Sequence, residues 1–217
     1  MARFQLAESF VSINGEGQKA GELALFLRFV GCNLRCSYCD TKWANEPDAP
    51  FTLRSTQELV GMANAFKVRN ITLTGGEPLL QTGIADLIEA LCRAGFAVEI
   101  ETNGAVPLAP FSGTGASFTM DYKLPSSGME SKMCLVNFDC LRETDTLKFV
   151  CGSHKDLVRA KEIIDEYEPV CKIYLSPVFG KIDPAEMVDF MKINHMTDVR
   201  LQLQLHKFIW HPDARGV

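Results

Sequence analysis

The sequence predicts an α/β fold, a partial (βα) barrel of about six parallel strands with flanking helices. Two observations carry that expectation. Apolar runs of strand length alternate with segments whose apolar residues recur at helical spacing, and no linker or low-complexity tract interrupts them. The chain has 217 residues, short of the ~250 typical of a complete eightfold barrel. Strands joined through helices run parallel, with right-handed crossovers. A doubly wound sheet is the other arrangement the alternation allows, and in both a site forms where strands end. The length fits a single domain over residues 1–217.

Residues 9–17 (SFVSINGEG) read as a glycine turn ahead of the first strand, which is the apolar run 23–30, ending at Gly31. Residues 55–66 form a helix, because Ser55 and Glu58 have the spacing of a capping box. Residues 70–74 are a short β-type run ending in Gly75-Gly76. In residues 80–94, Ile84, Leu87, Ile88 and Leu91 share one helical face, and Gly95 closes the helix. Residues 97–101 are a strand followed by the turn Thr102-Asn103-Gly104, and residues 117–122 and 146–151 are further strands. Ser153 opens a helix with Asp156 at its third position, which stops at Pro169. Residues 171–176 are a strand. Asp183-Pro184 starts a helix, since Asp accepts an orphaned N–H and Pro fits the first turn. Residues 199–204 are the last strand, and residues 205–217 show no period.

The formal net charge is −5, which argues against a nucleic-acid scaffold or a binder of anionic membranes. No apolar run reaches bilayer-spanning length; Arg28 interrupts the best candidate. The first residues carry Arg3 and Glu8 and no signal-type apolar core. A cytoplasmic location is expected.

Cysteine distribution carries the chemistry. Three of the 8 cysteines stand in Gly31-Cys32-Asn33-Leu34-Arg35-Cys36-Ser37-Tyr38-Cys39-Asp40-Thr41. Composition alone would produce that spacing roughly 0.01 times per chain. Structural zinc takes four closed ligands, whereas three thiolates that leave a corner open suit a cluster iron that must bind something else. A zinc loop completed by His154 or His206, or three merely buried thiols, are the alternatives. Cys92, Cys151 and Cys171 lie in predicted elements and read as small core residues, while Cys134 and Cys140 lie in a segment without clear period.

A CxxxCxxC loop with an aromatic residue before the third cysteine, placed after the first barrel strand, resembles the radical S-adenosylmethionine superfamily. That family also carries a Gly-Gly-Glu-Pro turn after the next strand, and here Thr74-Gly75-Gly76-Glu77-Pro78 stands in that place. The turn is expected by chance roughly 0.004 times. The resemblance implies that Cys32, Cys36 and Cys39 bind a [4Fe–4S] cluster whose open iron takes the methionyl amine and carboxylate of S-adenosylmethionine. One-electron reduction then yields a 5′-deoxyadenosyl radical that takes a hydrogen from the substrate, chemistry that belongs to the cofactors.

Within the superfamily the chain is similar to the 7-carboxy-7-deazaguanine synthase family of queuosine and deazapurine biosynthesis, along nearly its whole length. The resemblance rests on SFVSINGEG, on Arg28 before the first cysteine, on Asp40-Thr41 after the third, and on the tail QLQLHK. It implies ring contraction of 6-carboxy-5,6,7,8-tetrahydropterin to 7-carboxy-7-deazaguanine with loss of ammonia. Carried over residue by residue, Ile13, Asn14, Gly15, Arg28 and Thr74 face the pterin. Asn14 stands where the family usually has Gln. Tyr38, Cys39, Asp40, Gly76, Lys123 and Ser176 line S-adenosylmethionine, and Thr41 holds Mg²⁺. Asp121-Tyr122-Lys123 occupies the place of a common Ser-Pro-Lys, so only the lysine transfers. A guanidinium at Arg28 suits a substrate carboxylate; an ion pair with Glu16 or Glu101 is the alternative. His206 fits either a tail closing over the pterin or a buried structural role. The resemblance further implies a homodimer and a reductant such as flavodoxin or ferredoxin, with no nucleic acid and no membrane involved.

Two other readings remain at this level. A glycyl-radical-enzyme activating enzyme shares the cysteine motif but acts on a protein and needs neither INGEG nor Arg28. A non-catalytic metal-binding module needs no second glycine-rich turn.

Overall fold

The structure, a computed structural model, describes residues 2–217. Nine strands form a single sheet: β1 (Arg3–Ile13), β2 (Leu23–Phe29), β3 (Thr52–Ser55), β4 (Asn70–Gly75), β5 (Ala97–Thr102), β6 (Ser117–Tyr122), β7 (Thr146–Cys151), β8 (Lys172–Pro177) and β9 (Val199–Leu201). The order is β3-β1-β2-β4-β5-β6-β7-β8-β9. From β2 through β4 to β9 every neighbour is parallel, and β1 pairs antiparallel with both β2 and β3. The sheet is an open, partial barrel with one more parallel strand than the six expected and two added edge strands. Four helices cover it, α1 (Thr56–Phe66), α2 (Ile84–Arg93), α3 (His154–Tyr167) and α4 (Pro184–Ile193), and one further turn, α5 (His206–Ile209), lies in the tail.

Strand periodicity sorts the two faces. Leu25, Leu27 and Phe29 of β2, Ile71 and Leu73 of β4, Ile100 of β5 and Leu147 and Phe149 of β7 are fully buried outward. There they pack with Leu59 of α1, Leu87, Ile88 and Leu91 of α2 and Leu157 of α3. The alternate residues of the same strands, Arg28, Thr74, Glu101 and Lys148, together with Asp121 of β6, turn inward and are polar. The barrel thus has an apolar exterior under helices and a charged layer inside, with Phe10 and Phe26 beside it.

β1 obeys the same logic after a slip. Phe4 and Leu6 belong to the outer core, but a bulge between Leu6 and Glu8 shifts the register, so Glu8 pairs with Arg28 and Phe10 faces inward. An extra residue moves every later side chain to the other face.

Most expected elements are present, and the departures have local causes. Residues 3–13 are a strand, so the turn expected over 9–17 begins only after Ile13. The helix expected over 80–94 begins only at Ile84, because Pro78–Leu80 is a separate 3₁₀ turn and Gly83 (φ +80°) intervenes. Ser55 and Glu58 do form a capping box, and Asp183 caps α4 through the Ala185 N–H at 2.8 Å. Ser153 precedes α3 without a side-chain cap. Asp156 instead reaches back to the N–H of Gly152 at 2.7 Å and of Ser126 at 2.9 Å, pinning two loops. The last strand ends at Leu201 rather than 204, since the Gln202 side chain turns away to bond both backbone groups of Gly17.

Candidate active site

The inward polar residues, the cysteine loop and the tail enclose one cavity of about 880 Å³ at the C-terminal ends of the parallel strands. The cysteine loop leaves β2 at Gly31 and is held by neighbours rather than by regular structure. Gly31 N–H donates to the Ala44 carbonyl at 3.1 Å and Ser37 N–H to that of Ser127 at 3.0 Å. Ser37 Oγ donates to the Ser126 carbonyl at 2.6 Å. Cys32, Cys36 and Cys39 are all unpaired, half-buried and open to the cavity. Burial pushes the thiols of Cys32 and Cys36 up from the ordinary value.

Polar groups already face two of these sulfurs. Leu34 N–H lies 3.4 Å and Asn103 Nδ2 3.5 Å from Cys32 Sγ, and Thr41 Oγ1 is 3.5 Å from Cys39 Sγ. Among the described residues no three His, Cys, Asp or Glu side chains converge tightly enough to hold a single metal ion. Three thiols on one cavity, with N–H groups aimed at sulfur, fit a polynuclear iron–sulfur group better than a closed zinc site.

The Gly75-Gly76 turn presses against this loop. Gly75 has φ +136°, and a Cβ there would fall on the Phe29 backbone; one on Gly76 would fall on the Gly31 carbonyl. Only glycine permits the approach in which Gly76 N–H bonds Phe29 O at 3.1 Å and Glu77 N–H bonds Gly31 O at 2.9 Å. Glu77 is wholly buried. Its carboxylate accepts from Asn103 N–H at 2.7 Å, Leu79 N–H at 3.1 Å and the Thr102 hydroxyl at 3.0 Å. Burial raises its pKa to about 7 against the pull of those donors.

The floor is a charged layer. Lys148 Nζ lies 3.1 Å from both Glu16 Oε2 and Asp121 Oδ1. Lys123 Nζ donates to Asp121 Oδ2 at 2.9 Å, and Thr74 Oγ1 to Glu101 Oε2 at 2.7 Å. Burial alone would lower both lysines, but the facing carboxylates outweigh it and hold them charged. Asp121, between two ammonium groups, is held below the ordinary carboxylate value despite its burial, and desolvation raises Glu101.

Arg28 Nε donates to Glu8 Oε1 at 2.7 Å, so its partner is neither Glu16 nor Glu101. Its two terminal nitrogens make no hydrogen bond to protein among the described residues.

Two sequence motifs prove to be one structure. The tail docks on the INGEG loop: Gln202 bonds Gly17 N–H and C=O at 2.7 and 2.9 Å, Leu205 N–H bonds Gly15 O at 3.1 Å, and Gln204 Nε2 reaches Glu16 at 3.3 Å. The His206 ring lies against Gly15 where a Cβ would stand. Burial lowers its pKa. Beyond α5, Arg215 stacks over the Trp43 ring at 4.3 Å, and Lys207 bonds the Pro212 carbonyl at 2.7 Å beside Asp40.

Of the residues singled out from the sequence, Ile13, Gly15, Arg28, Cys32, Cys36, Tyr38, Cys39, Asp40, Thr41, Thr74, Gly76 and Lys123 line the cavity. Asn14 and Ser176 do not. Asn14 is buried behind the wall, its Oδ1 accepting from Thr72 at 2.8 Å. Ser176 Oγ, also buried, donates to Glu16 Oε1 at 2.9 Å and reaches the site only through that carboxylate. Sequence reading missed Lys148, Trp43 and Arg215 and weighed Glu16 only as an alternative partner of Arg28, though all four line the cavity. A lysine inside the otherwise apolar run TLKFVC was the available signal for Lys148.

Comparison with known proteins converges on one family. Residues 27–112 match the Radical SAM superfamily. A 7-carboxy-7-deazaguanine synthase of Clostridium acetobutylicum is 53% identical over 219 residues, covering 99% of each chain. That of Chlorobaculum tepidum is 38% identical over 221 residues, covering 100% of this chain and 98% of the relative. Among solved structures, QueE from Escherichia coli superposes with a TM-score of 0.70 at 22% identity, covering 93% of this chain and 94% of that one. At that identity it speaks to the fold, which it matches.

Proposed function

The chain belongs to the 7-carboxy-7-deazaguanine synthase family of radical S-adenosylmethionine enzymes, and from that premise we propose that it contracts 6-carboxy-5,6,7,8-tetrahydropterin to 7-carboxy-7-deazaguanine with loss of ammonia. Membership implies a [4Fe–4S] cluster and S-adenosylmethionine. The observation that carries the reading is that the cysteine loop, the Gly75-Gly76 turn and Arg28 all open on one cavity.

When bound, the cluster and S-adenosylmethionine supply reductive radical initiation. Cys32, Cys36 and Cys39 would hold the cluster, and Gly75-Gly76, packed on the same loop, would present its backbone to S-adenosylmethionine. Tyr38, Asp40 and Lys123 line that side of the cavity, with Ser176 acting through Glu16. Arg28 offers its free terminal nitrogens to the substrate carboxylate. Ile13 and Gly15 wall the pterin, with Asn14 supporting them from behind through Thr72. Thr74 lies one strand from Arg28, in register with it. Glu16 and Glu101 face the same space as acceptors for ring N–H groups. Thr41, which lines the cavity, would hold Mg²⁺, an ion that would polarise the substrate there. The tail, latched to Trp43, excludes water from the mouth.

The net reaction breaks a carbon–nitrogen bond, so the enzyme acts as a lyase. It works in the cytoplasm, where its free thiols stay reduced, with electrons from a flavodoxin- or ferredoxin-type donor. The family resemblance supports a homodimer. The test is anaerobic reconstitution with iron, sulfide, reductant, S-adenosylmethionine, Mg²⁺ and the tetrahydropterin, read by mass spectrometry for 7-carboxy-7-deazaguanine. Product that vanishes in Cys36→Ala and falls in Thr41→Ala is expected. 5′-Deoxyadenosine without deazapurine would leave the superfamily standing and overturn the substrate.

A further inference from the structure

Asn103 lies just beyond β5, in the turn between the buried Glu77 and the cysteine loop, and its side chain is fully committed. Its backbone N–H donates to Glu77 Oε2 at 2.7 Å, and its Oδ1 accepts the Ala105 N–H at 2.9 Å. The second bond fixes the amide, because only the oxygen can accept. Nδ2 therefore faces the loop, where it donates to Asn33 Oδ1 at 2.8 Å and meets Cys32 Sγ at 3.5 Å. The residue is 7% exposed, so water does not compete. The three cysteines differ in consequence: Cys32 has two N–H donors, from Asn103 and Leu34, while Cys39 faces one hydroxyl.

Building on the function proposed above, we propose that Asn103 is a positioning residue that raises the reduction potential of the iron–sulfur cluster through its amide hydrogen bond to the Cys32 sulfur. Reduction adds one negative charge, shared by the cysteine sulfurs, so an N–H aimed at sulfur stabilises the reduced state more than the oxidised one. Hydrogen bonds to sulfur and solvent exclusion are among the levers that set such potentials. The electron comes from the same external low-potential donor as in the reaction itself. Glu77 gives this contact its rigidity: its carboxylate holds the Asn103 backbone and the Thr102 hydroxyl, so the Gly-Gly-Glu-Pro turn acts on the cluster through Glu77, Asn103 and Cys32 in series.

The test is an EPR-monitored redox titration of reconstituted protein without substrate. Asn103→Asp keeps the acceptor for Ala105 and loses the donor to sulfur; Asn103→Ala loses both. The potential shifts downward in Asn103→Ala and further in Asn103→Asp, at unchanged iron and sulfide content. A potential equal to wild type in both variants overturns the assignment. Should the variants lose the cluster, pulsed EPR of reduced Asn33→Asp protein, which keeps the acceptor for Nδ2, with ¹⁵N only in asparagine side-chain amides reads the contact without the neighbouring Asn33 amide. A ¹⁵N coupling to the cluster supports it, and none overturns it. A wild-type protein that takes up no cluster overturns the function proposed above as well, which separates the two failures.

Discussion

Glu8 meets Arg28 across the β1–β2 pair, Oε1 to Nε at 2.7 Å, and it does so only because a bulge precedes it. Phe4 and Leu6 point into the outer core; without the register shift after Leu6, Glu8 would follow them outward, and Arg28 would face the cavity with no counter-charge. The pair is monodentate, which leaves the guanidinium fork for a ligand.

Substitutions at Glu8 should therefore split charge from orientation. Glu8→Gln keeps an acceptor for Nε while removing the competing charge, so a carboxylate substrate binds more tightly. Glu8→Ala removes the acceptor too, and Arg28 loses its fixed direction, so binding weakens. A difference of about tenfold between the two corresponds to ~1.4 kcal/mol. Calorimetric titration with the tetrahydropterin checks it, and equal affinities in the two variants would show that Glu8 does not govern Arg28.

The same bulge explains what the sequence concealed. β6 and β7 were legible to the residue because their alternation is unbroken, as in SFTMDY with Phe118 and Met120 outward. In β1 the alternation slips midway, and period-2 reading fails there. The cysteine triplet stood out because its spacing is rare, and the fold brings its three thiols onto one cavity. The charged floor was not, since Glu16, Glu101, Asp121 and Lys148 come from four separate segments and meet only when the sheet curls. Arg215 and Trp43 are likewise brought together by the path of the tail.

Lys148 is the residue on which that floor depends. Lys148→Met leaves Glu16 and Asp121 facing each other with one cation fewer, and breaking a buried pair by removing one partner costs about 3–5 kcal/mol. The loss should be greatest at neutral pH and shrink as the pH falls through the depressed range in which Asp121 takes up a proton, which removes the charge that Lys148 faces. Urea denaturation of the cluster-free protein across pH tests this. A pH-independent loss would point to packing instead.

Glu77 should give a pH dependence of its own. Its folded pKa is raised from 4.5 to about 7, so the folded state keeps a proton that the unfolded chain has released. The associated stability is fully present below pH 4.5, declines as pH rises through about 7, and is flat beyond. The amount is on the order of 3 kcal/mol. Glu77→Gln cannot ionise but loses an acceptor for Asn103 or Thr102. The variant should be the less stable protein at pH 5, and the gap should close or invert by pH 8. Parallel curves for the two proteins would mean that Glu77 does not titrate in this range.

The Arg215–Trp43 contact latches the tail over the cavity mouth, and its strength is modest. A cation over an aromatic ring at an accessible site is worth ~0.5–1 kcal/mol, which holds the tail closed about two- to fivefold more of the time. Arg215→Ala should leave the global unfolding midpoint unchanged, because the core lies on the far side of the sheet. It should raise chymotryptic cleavage after Phe208 or Trp210, both outside the core, by that factor. Lys207 still bonds the Pro212 carbonyl in this variant, so adding Lys207→Ala should raise cleavage again. If neither substitution changes the cleavage rate, the tail is held by its docking on Gly15 and Gly17 alone, and the latch contributes nothing to closure.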